Sequence, residues 1–466
     1  MKGDFTQGKM WRNILAQAVP LTVAQLVQVL YNIVDRIYIG HLPEGGELAL
    51  TGIGISAPIV TLISAFTLLF GQGGAPLCAI AEGAGNQERA QRIFGNTLSL
   101  LLGTSAVVLA VCLVFERQIL FLFGASEETY AYAHQYFSVY ILGTVCVMFS
   151  TGMNGFINLQ GYPRVGMLTT VLGAVINLAL DPVFIFGLNL GITGAAVATV
   201  LAQTVSALWV LQFFLSKKSR LRIRRADLAV QPKLAREITA LGLTGFMMSA
   251  TNSLVQIVCN QMLGAYGGDL YISVMTVLNS VRELFTLPVQ GLTSGAQPVL
   301  GYNYGAKDYR RVRQGIAFMA ALGFGYTLVA WLAILLLPHA FVGLFTTDSA
   351  LLDAGTEAIR IYFFAFVFMS LQFSAQSTFV ALGKARSAVF FSIFRKVILV
   401  VPLTLLLPRW LGVYGVFVAE PISNVVGGLA SFLTMLATVW RPLGREARQE
   451  PPSLAENQKS AFENHL

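Results

Sequence analysis

Apolar stretches of about 20 residues or more recur along the whole chain, each long enough to cross a ~30 Å hydrocarbon layer as a helix. Composition agrees. Of 466 residues, 55% are hydrophobic and 12% charged, and that charged share is about half the value for an ordinary soluble domain. The surplus apolar surface therefore faces lipid, which excludes a soluble enzyme. The expected class is an all-α polytopic membrane protein.

Reading the apolar runs between charged or Gly/Pro-marked breaks predicts twelve transmembrane helices. Six, near 14–39, 50–70, 93–115, 130–151, 165–186 and 192–215, make an N-terminal lobe over 1–215. Six more, near 238–263, 270–292, 316–337, 358–380, 388–407 and 413–439, make a C-terminal lobe over 237–440. Between them, 216–236 carries eight Lys/Arg against the single acid Asp227 and reads as a basic linker. The polar tail 441–466, with Pro451-Pro452, is expected to be disordered.

Twelve spans put both termini on one side. The loops and termini on that side hold 24 of the 31 Lys/Arg, against three in the opposite loops. This positive-inside bias places both termini in the cytoplasm. It also accounts for the formal charge of +8 without nucleic acid as a partner, since the basic linker can meet anionic lipid headgroups instead. The cysteines Cys78, Cys112, Cys146 and Cys259 lie inside apolar runs and share no ligand spacing with the histidines. Neither a disulfide framework nor a metal cluster is expected.

The chain repeats itself. An offset of 222 residues aligns Gly73 with Gly295, Pro76 with Pro298, Gly83-Ala84 with Gly305-Ala306, Arg89 with Arg311, Tyr140 with Tyr362 and Gly161 with Gly383. One residue less aligns Gly191 and Gly194 with Gly412 and Gly415. A near-constant offset over more than a hundred residues is a specific signal of two related halves. With six spans each, the halves enter from the same side and form a parallel repeat, the architecture of an alternating-access transporter.

Ionisable groups inside spans are costly and so face the bundle interior or a wet cavity. Asp35 ends a one-face stripe of Gln25, Gln28, Asn32 and Asp35. Counting about 1.5 Å of rise per residue from the outer breaks puts Asp35 roughly 7 Å deep, Asp181 roughly 9 Å and Thr199 roughly 12 Å, with Asn177 one turn beneath Asp181. These four oxygen-bearing side chains suit a hard cation such as Na⁺, or a shared proton. The competing reading pairs Asp35 with Arg36 or another base and leaves Asp181 capping a kink at Pro182. The second half offers Asn252 with Gln256, Asn279 with Glu283, Gln372 with Gln376, and Glu420 with Asn424, each pair one turn apart. These are candidates for a substrate cleft with Gln28 and Asn32. Glu283 is either a counter-charge for cationic substrates or a salt-bridge partner of Arg395 or Lys396.

These residues resemble a known family, the multidrug and toxic compound extrusion (MATE) transporters of the MepA-like bacterial branch. The resemblance rests on PLTVAQLVQVLYNIVDRIYIG (20–40), FGQGGAPL (70–77), PVQGLTSGAQPVLGYNYGA (288–306) and the twofold repeat. It implies two pseudo-symmetric six-helix bundles arranged as a V. It also implies export of organic cations and amphipathic drugs by antiport with H⁺ or Na⁺, with no catalytic residues and no cofactor beyond that ion. In related members the N-lobe cation or proton site takes an aspartate on the first helix, an asparagine and an aspartate four apart on the fifth, and a threonine on the sixth. Asp35, Asn177, Asp181 and Thr199 match that set, and Pro20 matches the family's bending point in the first helix. The seventh and tenth helices carry Gln256, Gln372 and Gln376 where other members carry acids, so a C-lobe cation site is not expected. The resemblance also implies a multi-pass protein of a bacterial inner membrane, with small drugs and membrane lipid as partners and the chain acting as a monomer. Two other readings stay open: a flippase for a lipid-linked precursor, which would favour a strongly cationic cleft, and a membrane enzyme or sensor.

Overall fold

The computed structural model describes residues 5–40, 46–123, 125–346 and 348–449. The side chain of Asn32 and the segment 450–466 lie outside the described residues, as does the Arg36 side chain proposed as a partner for Asp35. Among the described residues all regular structure is helical. The first half contains α1 (Met10–Gly40), α2 (Gly46–Gly83), α3 (Gln87–Val114), the short α4 (Glu116–Leu122), α5 (Glu127–Tyr140) continuing into α6 (Thr144–Leu159), α7 (Pro163–Pro182) and α8 (Gly191–Leu215). The second half contains α9 (Pro232–Gly305), α10 (Tyr309–Leu336), the short α11 (Pro338–Gly343), α12 (Ser349–Tyr362), α13 (Phe368–Ala381), α14 (Ala385–Ile393), α15 (Val401–Leu406), α16 (Pro408–Leu411), α17 (Tyr414–Met435) and α18 (Arg441–Gln449).

Ten of these helical stretches are long and apolar enough to span a membrane. The 74-residue α9 contains two passes, because Gly268 breaks it with a φ of 68° that favours glycine. Leu263 before the break and Val274, Met275 and Leu278 after it share one buried cluster, as expected of a hairpin. The α12–α13 pair supplies the remaining pass, interrupted by a turn over 363–367. Twelve passes result among the described residues.

The repeat is written into the element boundaries. Shifted by 222 residues, α3 superposes on α10 and α5 on α12, end for end. Turn chemistry repeats with them. Asn86 and Asp308 each accept a hydrogen bond from the backbone N–H three residues on, at 2.9 and 3.0 Å, capping α3 and α10. The Asn154 amide donates to Gly166 O at 3.0 Å, and its counterpart Gln376 donates to Ala388 O at 2.7 Å. The fifth pass of each lobe carries a π-helical stretch, Val183–Gly187 and Phe394–Val400, a local widening often found at functional sites.

Helix association in lipid relies on close packing rather than on expulsion of water, and here glycine supplies it. A Cβ on Gly83 would lie 1.9 Å from Tyr302 O, and one on Gly305 would lie 2.0 Å from Ile80 O, the symmetry-related contact. Further up, Gly73 meets Ile238 O and Gly242 meets Leu69 O equally closely. The two lobes are thus closed against each other at the end that carries the basic loops. The repeated arginines reinforce this crossing. Arg89 of α3 pairs with Glu237 at the start of α9 at 2.8 Å, while Arg311 of α10 donates to Phe5 O and Gly8 O just before α1. Each lobe grips the first helix of the other.

Overpacking such a contact costs about 1–3 kcal/mol, and about 1.4 kcal/mol is a tenfold population change. Gly83→Leu is therefore expected to favour states in which the lobes part at this end. In a background without the four native cysteines, a cysteine at Ala79, which packs against Gly301 of the other lobe, should react with a maleimide about tenfold faster once Gly83 is Leu. Unchanged labelling would mean that this contact does not hold the lobes together.

The tail differs from expectation at its start. The chain stays helical to Gln449, because Leu443 is buried against the C-lobe core and Arg313 stacks over Trp440 at 4.5 Å, so this stretch has partners that its polar composition hides.

Candidate functional site

α1, α7 and α8 bring Asp35, Asn177, Asp181 and Thr199 together inside the first lobe. Asp181 is fully buried, and Asn177 and Thr199 are nearly so. The Asn177 amide donates to the Thr199 hydroxyl at 3.2 Å, and that hydroxyl donates to Ala195 O at 2.9 Å. Asp35 lies close enough to Asp181 for the two carboxylates to interact directly. Local sequence explains the placement. Pro182 has no N–H and ends α7 immediately after Asp181, and the π turn beyond it lets Phe186 pack edge-on against Tyr38 of α1, the ring centroids 6.5 Å apart.

Both Asp181 carboxylate oxygens and Asn177 Oδ1 accept no hydrogen bond among the described residues. A buried carboxylate in that condition calls for a proton or a small hard cation. The donor set is all oxygen, so it fits Na⁺ as well as H⁺. Three tyrosines not singled out from the sequence complete the surroundings: Tyr31, Tyr136 and Tyr140 lie within electrostatic reach of Asp35, and Tyr31 lies beside Thr199. One was readable in principle. Tyr31 is one helical turn before Asp35 and so shares its face, whereas Tyr136 and Tyr140 arrive from α5, which no local pattern links to α1.

A central cavity of about 370 Å³ opens between the lobes. Its polar lining includes Gln25 and Gln28 of α1, Gln72 of α2, Asn154 and Asn158 of α6, Thr170 of α7, and Ser294 and Gln297 of α9. Gln28 and Thr170 are each seven residues from Asp35 and Asn177, about 10 Å along the same two helices. Cavity and acid pair are therefore joined by rigid elements. Pro20 sits inside α1 and removes the N–H that would bond to Ala16 O, leaving a weak point in the helix that carries both Gln28 and Asp35.

The second lobe departs from the expected cleft. Asn252, Gln256 and Asn279 line a separate cavity of about 140 Å³, and Asn252, Gln372 and Gln376 line a neighbouring one of about 120 Å³. None of these five reaches the central cavity lining. Much of their hydrogen bonding is already committed: the Gln376 amide donates to Ala388 O and to the Ser392 hydroxyl, and Asn279 accepts from the Tyr362 hydroxyl at 3.2 Å. The salt-bridge reading of Glu283 is corrected. Arg395 and Lys396 pair with Glu420 instead, at 3.2 and 3.7 Å, and Glu283 is exposed. Helical spacing left this open, since only the packing of α17 against the π stretch brings Glu420 to these bases. The four cysteines are free thiols.

The MatE family model matches residues 20–183 and 246–406, one match in each lobe and more than half the chain together. The chain belongs to the MatE family. It is a MATE-family membrane transporter and not an enzyme. Among its relatives is the multidrug export protein MepA of Staphylococcus aureus (strain MRSA252), 23% identical over 429 residues that cover 92% of this chain and 94% of that one. MepA of Staphylococcus saprophyticus is also 23% identical, over 431 residues with the same coverage. Solved structures with the same fold include a MATE protein in the bent conformation, with a TM-score of 0.89, 23% identity and coverage of 95% of this chain and 98% of that one. Another is a MOP-superfamily transporter from Pyrococcus furiosus, described as having a binding pocket of reverse polarity that suggests a different function. It has a TM-score of 0.86, 24% identity and coverage of 93% and 97%. At these identities the structural likeness establishes the MATE fold alone.

Proposed function

We propose that this MATE chain exports small amphipathic drugs, organic cations among them, by secondary antiport with H⁺ or Na⁺. The observation that carries the coupling is the pair of buried Asp181 and partly buried Asp35, whose mutual repulsion is relieved when a single positive charge is shared between them. The bound ion supplies that charge. The protein's own groups do the rest: Asn177 and Thr199 orient the pair, Tyr31, Tyr136 and Tyr140 wall it off, and α1 transmits its state toward Gln28 through the helix weakened at Pro20. Cargo occupies the central cavity, where neutral amides and apolar walls bind varied molecules without demanding one shape. That neutral lining supports drug export over a flippase for a pyrophosphate-linked precursor, which needs a cationic cleft.

The export reading is also supported by the family and by the two MepA relatives, which are named as multidrug exporters. The positive-inside bias supports termini in the cytoplasm, and the basic linker supports contact with anionic lipid. A monomer suffices, because both lobes and the cavity between them come from one chain. The test is ethidium movement in proteoliposomes containing only this protein. Efflux driven by an imposed H⁺ or Na⁺ gradient, and absent without one, is the expected result and names the ion. No movement under either gradient overturns the reading.

A further inference from the structure

The second lobe holds a cluster of basic side chains inside the spans that the coupling site does not use. Arg282 of α9 and Arg395 and Lys396 of the π stretch gather around one acid, Glu420 of α17. Glu420 Oε1 accepts from Arg282 Nη1 at 3.0 Å and from Arg395 Nη2 at 3.2 Å. Arg395 also donates to Asn424, and Arg282 lies over the Tyr362 ring at 6.0 Å. Three basic side chains thus share one carboxylate among the described residues, inside spans where an unpaired charge is expensive.

Lys396 shows where the deficit points. It is 8% exposed, and among the described residues its only partner is Glu420 Oε2 at 3.7 Å, beyond hydrogen-bonding distance. The buried Lys396 amine therefore has no hydrogen-bond acceptor among the described residues and can take one from a ligand. Lys396 lines both C-lobe cavities. The smaller one is lined by Arg282 and Arg395 as well, together with the apolar side chains Met248, Met369 and Phe373. The site thus offers a cationic floor able to take a carboxylate and a soft, adaptable apolar wall able to take a flat body.

We propose that this C-lobe site binds the carboxylate of an amphipathic organic anion or zwitterion, with the carboxylate on Lys396 and Arg395 and the apolar body against Met248, Met369 and Phe373. As a statement about cargo it rests on the export reading and extends its substrate class to carboxylate-bearing molecules held at a second site. As a statement about binding it needs no gradient, so the two can fail separately. The full chain in lipid nanodiscs is titrated with 1-pyrenebutyrate and with its neutral analogue 1-pyrenebutanol, followed by pyrene fluorescence, and then with acetate as competitor.

The carboxylate is expected to bind about tenfold or more tightly than the alcohol, and acetate to compete only at concentrations about a hundredfold higher than the pyrene acid. In Lys396→Gln the acid-to-alcohol preference should fall to within about twofold, and Lys396→Arg should keep it. Equal affinities for the two pyrene probes in the unaltered protein overturn the proposal. So does a preference that survives Lys396→Gln in a folded protein, which would mark the cluster as a structural ion network. Acetate binding as tightly as pyrenebutyrate removes the apolar wall from the account and overturns the assignment to amphipathic anions. If Lys396→Gln does not fold, the unaltered protein's preference and the Lys396→Arg result decide the matter.

Discussion

Asp181→Asn is expected to abolish gradient-driven ethidium export, and Asp35→Asn to do the same, each lowering the initial rate by about a hundredfold, the upper range of ordinary coupling energies. Asparagine keeps the size and hydrogen-bonding reach of aspartate but cannot exchange one charge for none. Asp181 is fully buried and its carboxylate oxygens accept no hydrogen bond among the described residues, so its structural contribution through such bonds is small. The loss should therefore leave folding intact, with a melting temperature in detergent close to that of the unaltered protein. Thr199→Val, which removes the hydroxyl that receives the Asn177 amide, should reduce export by a smaller factor. The checking measurement is the initial ethidium rate in proteoliposomes at matched protein content. Full export by both aspartate variants would make the acid pair structural and leave the transporter without a coupling site in this lobe.

Glu420→Gln is expected to be the most destabilising conservative substitution in the second lobe. It leaves Arg282, Arg395 and Lys396 with no carboxylate among the described residues. Breaking a buried pair by removing one partner costs about 3–5 kcal/mol, mostly because the stranded charge stays in a poor dielectric. Three stranded charges put this case at the upper end. Thermal unfolding in detergent should show a large fall in Tm and reduced yield. Adding Arg282→Gln to Glu420→Gln should recover part of the loss, since one uncompensated charge then disappears. An unchanged Tm in the single variant would mean that water or an anion already neutralises these bases.

Local pattern reached far in this protein. A membrane span needs about 20 apolar residues whatever surrounds it, so the twelve passes were countable before any fold was known. The 222-residue offset gave the two lobes, and it reappears in helix ends, caps and turns as small as Asn86 and Asp308. Asp35, Asn177, Asp181 and Thr199 came from one-dimensional depth along helices, because two helices that start at the same outer boundary hold equal depths at equal counts.

Depth and helix face say nothing about which neighbour a face meets. Tyr136 and Tyr140 reach the acid pair from α5, the glycines of α2 and α9 close the lobes against each other, and Glu420 rather than Glu283 takes the three bases of the second lobe. The polar stripes of that lobe were legible as stripes, yet their membership in two side cavities instead of the central one was not. Span number, repeat, basic-loop bias and the depth of each acid are properties of a single helix or of the chain read in order, and the residues alone carry them. Pairing, cavity walls and lobe closure depend on rotations between helices far apart in the chain, and only the packed molecule sets those angles.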